Sequence, residues 1–235
     1  MHAHLDALKN PILSPLDNPH FYANNPSAGI RQRSHQTIST TNRYLVPFPT
    51  SIAGNRCYTD ASTTPDTTTS NTRQAGLGVF IINMDVQPPI SIFIKATMQD
   101  SSSIIMAESA ALAFAANLLN QFQCRRSTIL SDNQQLVHFL NGSNNFNPPD
   151  WRIKPYTQIA ANILSTTNLQ VRRIKRNQNQ MTDSLAGQAL QALRSNQLAY
   201  SSSCTNPSYE NDCPVLRAIN AVTINSVMVL SASCC

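Results

Sequence analysis

The chain has 235 residues, of which 41% are hydrophobic and only 12% are charged. This length allows one medium domain with tails, and the low charged content indicates segments that lie outside a packed core. A net charge of +5 weakly favours a polyanionic partner. We see neither a secretory signal nor an apolar run long enough to cross a membrane. We therefore expect an intracellular protein of the nucleus or cytoplasm, without a membrane partner.

Composition divides the chain into three parts. Residues 1–53 are rich in Pro, Asn, Ser and Thr without sustained periodicity, and are predicted to form a flexible N-terminal leader. Residues 54–195 carry regular apolar patterns and are expected to form the folded domain. Residues 196–235 lack a clear pattern and are predicted to be a poorly structured C-terminal tail.

The middle part begins with three strand-like segments rich in β-branched and aromatic residues, and short polar connections predict antiparallel pairing. Strands and helices alternate after them. The order predicts an α/β fold with a five-stranded mixed sheet flanked by helices. The predicted strands are 56–60, 76–83, 90–97, 127–132 and 168–175, and the predicted helices are 103–122, 133–142, 150–165 and 179–195.

The six cysteines contain no C-x-x-C pair, and three of them lie close to the C-terminus. Because zinc sites and disulfide scaffolds in short domains usually show regular cysteine spacing, the sequence predicts neither of them.

Four carboxylates occupy places that solvation alone does not explain. Asp60 ends the first strand, Glu108 lies inside the long apolar helix, Asp132 ends the fourth strand, and Asp183 lies in the first turns of the last helix. Taken singly, each has an ordinary explanation: a turn residue, a helix cap, a partner of the helix dipole, or a carboxylate paired with an arginine. Their joint placement favours one cluster beyond the carboxyl ends of the strands.

Such a cluster needs a compensating charge, because neighbouring carboxylates raise each other's pKa. Hard divalent cations provide that charge, and Mg²⁺ prefers oxygen ligands and is commonly shared with substrate phosphates. A pair of such ions can promote phosphodiester cleavage. We therefore expect the four carboxylates to converge within a few ångströms of a shared metal position.

Four short motifs in this order resemble ribonuclease H type 1, particularly its plant reverse-transcriptase-like branch. They are "YTDAS" with "GLGVFI", "AESAAL", "LSDNQQLV" and "RNQNQMTDSLA", and the resemblance covers about residues 56–195. It implies the ribonuclease H-like fold, and it implies that Asp60, Glu108, Asp132 and Asp183 are the catalytic, metal-binding residues.

The resemblance further implies an endonuclease that hydrolyses the RNA strand of RNA–DNA hybrids with two Mg²⁺ ions, or Mn²⁺ as a substitute. Asp60 would bridge both ions, and the protein would act as a monomer. Contacts to the hybrid are expected from Ser62, Arg172, Arg173, Lys175, Arg176 and Asn179. A solvated strand edge is the alternative for the basic cluster.

The chain departs from the family pattern at two places. Ala61 follows the first aspartate where classical members have glycine, and the loop before Asp183 lacks the histidine that many members carry. These departures leave open a nucleic-acid-binding module derived from a retroelement, weak or inactive in cleavage. Trp151 is expected to anchor its helix in the core, with stacking on a base as the alternative.

Overall fold

The computed structural model describes residues 54–64, 73–85, 89–124, 126–142, 150–205, 213–222, 224 and 226–235, so the predicted leader at 1–53 lies outside the described residues. In chain order, the elements are β1 (Arg56–Thr63), β2 (Arg73–Asn83), β3 (Ile90–Ser101), α1 (Ile104–Gln121), β4 (Thr128–Ser131), α2 (Gln134–Leu140), α3 (Lys154–Thr166), β5 (Gln170–Arg173), α4 (Gln180–Arg194), β6 (Ser201–Cys204), α5 (Pro214–Ala221) and β7 (Val227–Cys234). Two 3₁₀ turns precede α3 and α4, at Trp151–Ile153 and Arg176–Gln178.

The strands form one mixed sheet in the order β5-β4-β1-β2-β3-β7-β6. The β1–β2, β2–β3 and β3–β7 pairs are antiparallel, whereas β1–β4, β4–β5 and β6–β7 are parallel. The prediction of a mixed sheet with three antiparallel strands at its start is confirmed. The predicted number of five strands is wrong, because the sheet has seven.

The two additional strands come from the segment that was predicted to be a poorly structured tail. β7 pairs along β3 from Val227 to Cys234, and β6 pairs with β7 as the outermost strand. Without β7, β3 would present an unpaired edge of backbone groups from Ile92 to Met98. The segment after residue 196 therefore completes the sheet, and the prediction for it is corrected.

Successive side chains of the central strands point to opposite sides of the sheet, and both sides are apolar. One face carries Cys57, Ile81 and Ile92 and packs with the buried side of α1 in the main core. The other face carries Tyr58, Phe80 and Phe93, which pack with Leu185 of α4. On this second face, the rings of Phe80 and Phe93 stack with centroids 4.7 Å apart. The sheet is thus enclosed between α1 on one side and α4 on the other.

The long helix α1 is apolar almost all round, since eleven of its residues are buried. Ser103 caps its N-terminus by accepting a hydrogen bond from the backbone N–H of Met106. Among the helices that the structure describes, none combines the length and apolar character needed to span a bilayer.

Candidate metal centre and nucleic-acid interface

The four predicted carboxylates lie at the same end of the sheet. Tyr58 of β1 pairs with Leu130 of the parallel strand β4, so Asp60 and Asp132 each follow two residues further on neighbouring strands. Glu108 lies in the second turn of α1, and Asp183 lies in the first turn of α4. Asp60 lies inside β1, which continues three residues further to Thr63, so the prediction that Asp60 ends the first strand is corrected. Asp132 directly follows β4, and the other two acids come from the N-terminal turns of α1 and α4.

Asp60 is the most enclosed of these acids, with 7% of the residue exposed. Its Oδ1 accepts a hydrogen bond of 2.8 Å from the backbone N–H of Ala61. Its Oδ2 is buried and has no hydrogen-bond partner among the residues that the structure describes. Burial raises the pKa of Asp60 to about 8, and the Asp132 carboxylate adds to the rise while the Ala61 hydrogen bond opposes it. Asp183 and Glu108 raise this pKa further, so Asp60 lies within the electrostatic reach of all three acids.

Glu108 shows the same pattern on the helix side of the site. Its Oε2 is also buried, and the described part of the chain offers it no hydrogen-bond partner. Burial raises the pKa of Glu108 to about 7, a hydrogen bond from Asn133 opposes this rise, Asp132 adds to it, and Arg176 opposes it. Glu108 therefore lies within the electrostatic reach of both Asp132 and Asp60.

Two buried carboxyl oxygens without partners match the donor set of a hard divalent cation, since burying an uncompensated carboxylate is unfavourable. Within the described ranges, no three of these carboxylates have oxygens that all lie within 4.8 Å of one another. The residues thus fit metal ligands in chemistry, position and charge, without forming a closed cage.

Asp183 is the most exposed acid of the four, and its side chain is 57% accessible. Its Oδ1 lies 3.8 Å from a terminal guanidinium nitrogen of Arg176, whose side chain is also exposed. An ion pair between two exposed side chains contributes little to stability. Arg176 is therefore an exposed cation beside Asp183.

The position of Asp183 depends on close contact between α4 and β2. A Cβ atom at Gly76 would lie 2.1 Å from the carbonyl oxygen of Ala186, and one at Gly78 would lie 2.2 Å from that of Thr182. Glycine is required at both positions because the helix backbone rests directly on the strand. Gly78 also pairs with Asp60 across β1 and β2, so this contact brings the start of α4 next to the first acid.

Asn179, predicted to contact nucleic acid, is a buried residue with 1% exposure. Its Nδ2 donates a hydrogen bond of 2.9 Å to the carbonyl oxygen of Thr59, the neighbour of Asp60. Its Oδ1 accepts a hydrogen bond from the hydroxyl of Thr182. The prediction is corrected, because both ends of the amide are engaged within the protein. Asn179 positions the start of α4 against β1.

The other predicted contact residues lie on or near the surface beside the acids. Ser62 is half-buried on β1, two residues beyond Asp60 on the same face of the strand. The remaining four side chains are exposed, while Ile174 between them is buried with Tyr58 and Leu185. A buried isoleucine thus anchors a basic segment whose charges face solvent: Arg172, Arg173, Lys175 and Arg176.

Two polar residues at this end of the sheet were not predicted. Asn133 caps α2 by accepting a hydrogen bond of 3.0 Å from the N–H of Leu136, and it also contacts Glu108. Lys95 pairs with Gly78, and burial lowers its pKa to about 8. The available signals were an asparagine between a strand and a helix, which is a common cap, and a single lysine within an apolar strand.

Trp151 does not anchor its helix in the core. It is 79% exposed, whereas Ile153 and Tyr156 nearby are buried. The prediction is wrong because these two smaller apolar residues already fill the side of the turn and of α3 that faces the core.

The sequence of residues 64–189 matches the family model described as reverse transcriptase-like. This match spans more than half of the chain and contains three of the four acids and the whole basic segment. The chain belongs to the reverse transcriptase-like family. Among proteins with curated descriptions, none matches it in sequence.

Solved structures similar to this family member include several ribonucleases H. Ribonuclease H1 of Halobacterium salinarum is 18% identical over 59% of this chain and 98% of its own, with a TM-score of 0.47. LC11-RNase H1 from compost was solved with an RNA/DNA hybrid. It is 20% identical over 60% of this chain and 99% of its own, with a TM-score of 0.46. The RNase H domain of prototype foamy virus is 18% identical over 59% of this chain and 94% of its own, with a TM-score of 0.44.

Proposed function

We propose that this protein is a metal-dependent endonuclease that hydrolyses the RNA strand of RNA–DNA hybrids. One observation carries the proposal: two buried carboxyl oxygens without partners, on Asp60 and Glu108, face two further acids at one end of the sheet. Family membership supports it. Action as a monomer within the nucleus or cytoplasm is part of the same proposal.

Asp60, Glu108, Asp132 and Asp183 would hold the divalent cations, Mg²⁺ in the first place and Mn²⁺ as a substitute. Bound there, a pair of such ions would activate a water molecule and stabilise the departing 3′ oxygen. The protein itself supplies negative charge at a partly buried position, where electrostatic interactions are stronger than in bulk water. Asn133 and Ala61 hold the Glu108 and Asp60 carboxylates through hydrogen bonds.

The basic segment supplies the nucleic-acid contact in this proposal. Arg172, Arg173, Lys175 and Arg176 are exposed next to the acids, and lysine and arginine bind phosphates with release of counterions. Ser62 lies where a hydroxyl could reach a sugar or phosphate. An A-like hybrid presents 2′-hydroxyl groups in a wide minor groove, which gives a protein the means to select the RNA strand.

The test is cleavage of an end-labelled RNA–DNA hybrid by the full chain in Mg²⁺, with single-stranded RNA and duplex DNA as comparison substrates. We expect cleavage of the RNA strand only, and loss of at least two orders of magnitude in rate for Asp132→Asn, by analogy with the loss of other groups that stabilise charge in a transition state. Asp85→Asn is the matched control: it removes the same charge from an exposed residue beyond β2, at the opposite end of the sheet.

The alternative function is a nucleic-acid-binding module with weak or absent cleavage. The absence of a histidine from the segment before Asp183 favours it. Hybrid binding without any difference in cleavage between the unsubstituted chain and Asp132→Asn, at every Mg²⁺ and Mn²⁺ concentration, would establish the binding module and refute the enzyme.

A further inference from the structure

Three cysteines far from the carboxylates come together in the C-terminal part of the sheet. Cys204 ends β6, Cys234 ends β7, and Cys213 is the N-cap residue of α5. Their sulfur atoms all lie within 4.8 Å of one another. In the described part of the chain, this is the only such set of three or more metal-ligating side chains.

The fold holds these cysteines in register. Cys204 and Cys234 are direct partners in the parallel β6–β7 pair, and the N–H of Thr205 donates to the carbonyl oxygen of Cys234 at 3.0 Å. Cys213 is fixed by the first turn of α5, where its carbonyl oxygen accepts a hydrogen bond of 3.0 Å from Arg217. Backbone hydrogen bonds thus hold all three cysteines in or beside regular elements.

The distances suit a shared metal ion better than a disulfide. The sulfurs of Cys213 and Cys234 lie 3.3 Å apart, whereas a disulfide bond measures about 2.05 Å. Zinc–sulfur bonds of about 2.3 Å in a tetrahedral site place the sulfurs roughly 3.8 Å apart. That separation falls between the 3.3 Å that joins the Cys213 and Cys234 sulfurs and the 4.8 Å within which all three sulfurs lie.

The thiols differ in how readily they ionise. Burial raises the pKa of Cys234, and the Cys204 and Cys213 thiols raise it further. Burial also acts on Cys213, but hydrogen bonds from the backbone of Leu216 and Val215 and from the neighbouring thiols lower the pKa of Cys213 below its ordinary value. Cys213 and Cys234 are buried, whereas Cys204 is partly exposed. The cluster is closed towards the core and reachable from solvent at Cys204.

We propose that Cys204, Cys213 and Cys234 bind one Zn²⁺ ion, with its fourth position taken by water or another small ligand on the Cys204 side. Binding releases the thiol protons to solvent, since the thiolate is the ligand. Zinc would link β6 and the start of α5 to β7, the strand that pairs with β3. This soft sulfur site is separate from the hard oxygen ligands of the carboxylate end, and it does not depend on the proposed cleavage activity.

The first experiment titrates the reduced full chain with Co²⁺ in excess Mg²⁺ and then displaces the cobalt with Zn²⁺. Thiolate-to-cobalt charge-transfer absorption reports sulfur ligands specifically, so metal at the carboxylates does not contribute. We expect one equivalent of cobalt and one of zinc per chain. Cys213→Ser and Cys234→Ser should abolish the band. Cys235→Ser is the matched control, because Cys235 packs on the other side of the sheet.

A second measurement on the unsubstituted chain covers the case in which the serine variants fail to fold. Alkylation by iodoacetamide, located by mass spectrometry, should slow on zinc addition at Cys204, Cys213 and Cys234 and not at Cys235. The melting temperature should rise with zinc because the ion binds the folded state preferentially. Absence of both the cobalt band and zinc protection, or a Cys213–Cys234 disulfide that excludes the metal, would overturn the proposal.

Discussion

The carboxyl of Asp60 is held where ionisation is unfavourable, because burial and the neighbouring Asp132 raise its pKa to about 8. The same group titrates near pH 3.9 in an unfolded chain. A carboxyl with a raised pKa stabilises the folded state fully below about pH 4, and this stabilisation is lost as the pH rises through about 8. The acid therefore opposes folding at the pH at which it can bind a cation.

We accordingly expect Asp60→Asn to stabilise the protein at alkaline pH. In EDTA at pH 9, urea unfolding should show a gain of about 0.5–2 kcal/mol in the free energy of unfolding, the usual size for relief of a functional strain. At pH 4, where the wild-type carboxyl is already neutral, the two proteins should agree. A gain of equal size at both pH values would show that ionisation of Asp60 is not its cause.

Trp151 supports a second prediction at the scale of the residue. Since its side chain is 79% exposed, Trp151→Ala should change the free energy of unfolding by no more than about 0.5 kcal/mol. Ile153→Ala in the same turn removes a fully buried side chain and should destabilise by about 2–5 kcal/mol. Thermal unfolding of both variants compares these two changes in stability. A loss for Trp151→Ala as large as that for Ile153→Ala would show that Trp151 packs in the core.

At the scale of the element, α4 is positioned by its contact with β2. Gly78→Ala should destabilise by about 1–3 kcal/mol, because the added Cβ meets backbone atoms of the helix. It should also lower metal affinity by displacing Asp183. Gly187→Ala, on the same helix with open space around it, should instead stabilise by about 0.5–1 kcal/mol. Both variants should be measured by chemical denaturation and by calorimetric Mg²⁺ titration. The comparison distinguishes the loss of close packing in Gly78→Ala from the gain in helix propensity in Gly187→Ala.

The basic segment after β5 gives a prediction about binding. Arg176→Gln should weaken hybrid binding and reduce the slope of log K against log salt by about 1, the value for one lost phosphate contact. Arg194→Gln removes the same charge from an exposed position in the last turn of α4, away from the acids, and should leave the slope unchanged. Equal slopes for both variants would assign the effect to net charge alone.

At the scale of the whole molecule, the C-terminal strands protect the sheet. Removing residues 196–235 uncovers the edge of β3 from Ile92 to Met98, and an uncovered edge favours pairing between molecules. We expect a truncated chain to have a lower melting temperature and to associate during size-exclusion chromatography. A truncated chain that remains monomeric with an unchanged melting temperature would contradict this role.

Much of this architecture could be predicted from local patterns. β-branched and aromatic runs identified the first three strands, and the apolar pattern with serine caps located α1 within one residue at each end. The four acids were found because each follows a strand or begins a helix, and a parallel sheet brings such positions to one end.

The sequence by itself thus determined the order of elements from β1 to α4 and which acids could meet, because both depend on short-range periodicity. The tertiary structure alone decided which edge β7 covers and why Asn179 is buried while Trp151 is exposed. It also brought together three cysteines that follow no spacing rule. These outcomes depend on pairing and packing between segments that are far apart in the sequence. The contacts that stabilise each residue there come from segments that a short stretch of sequence does not include.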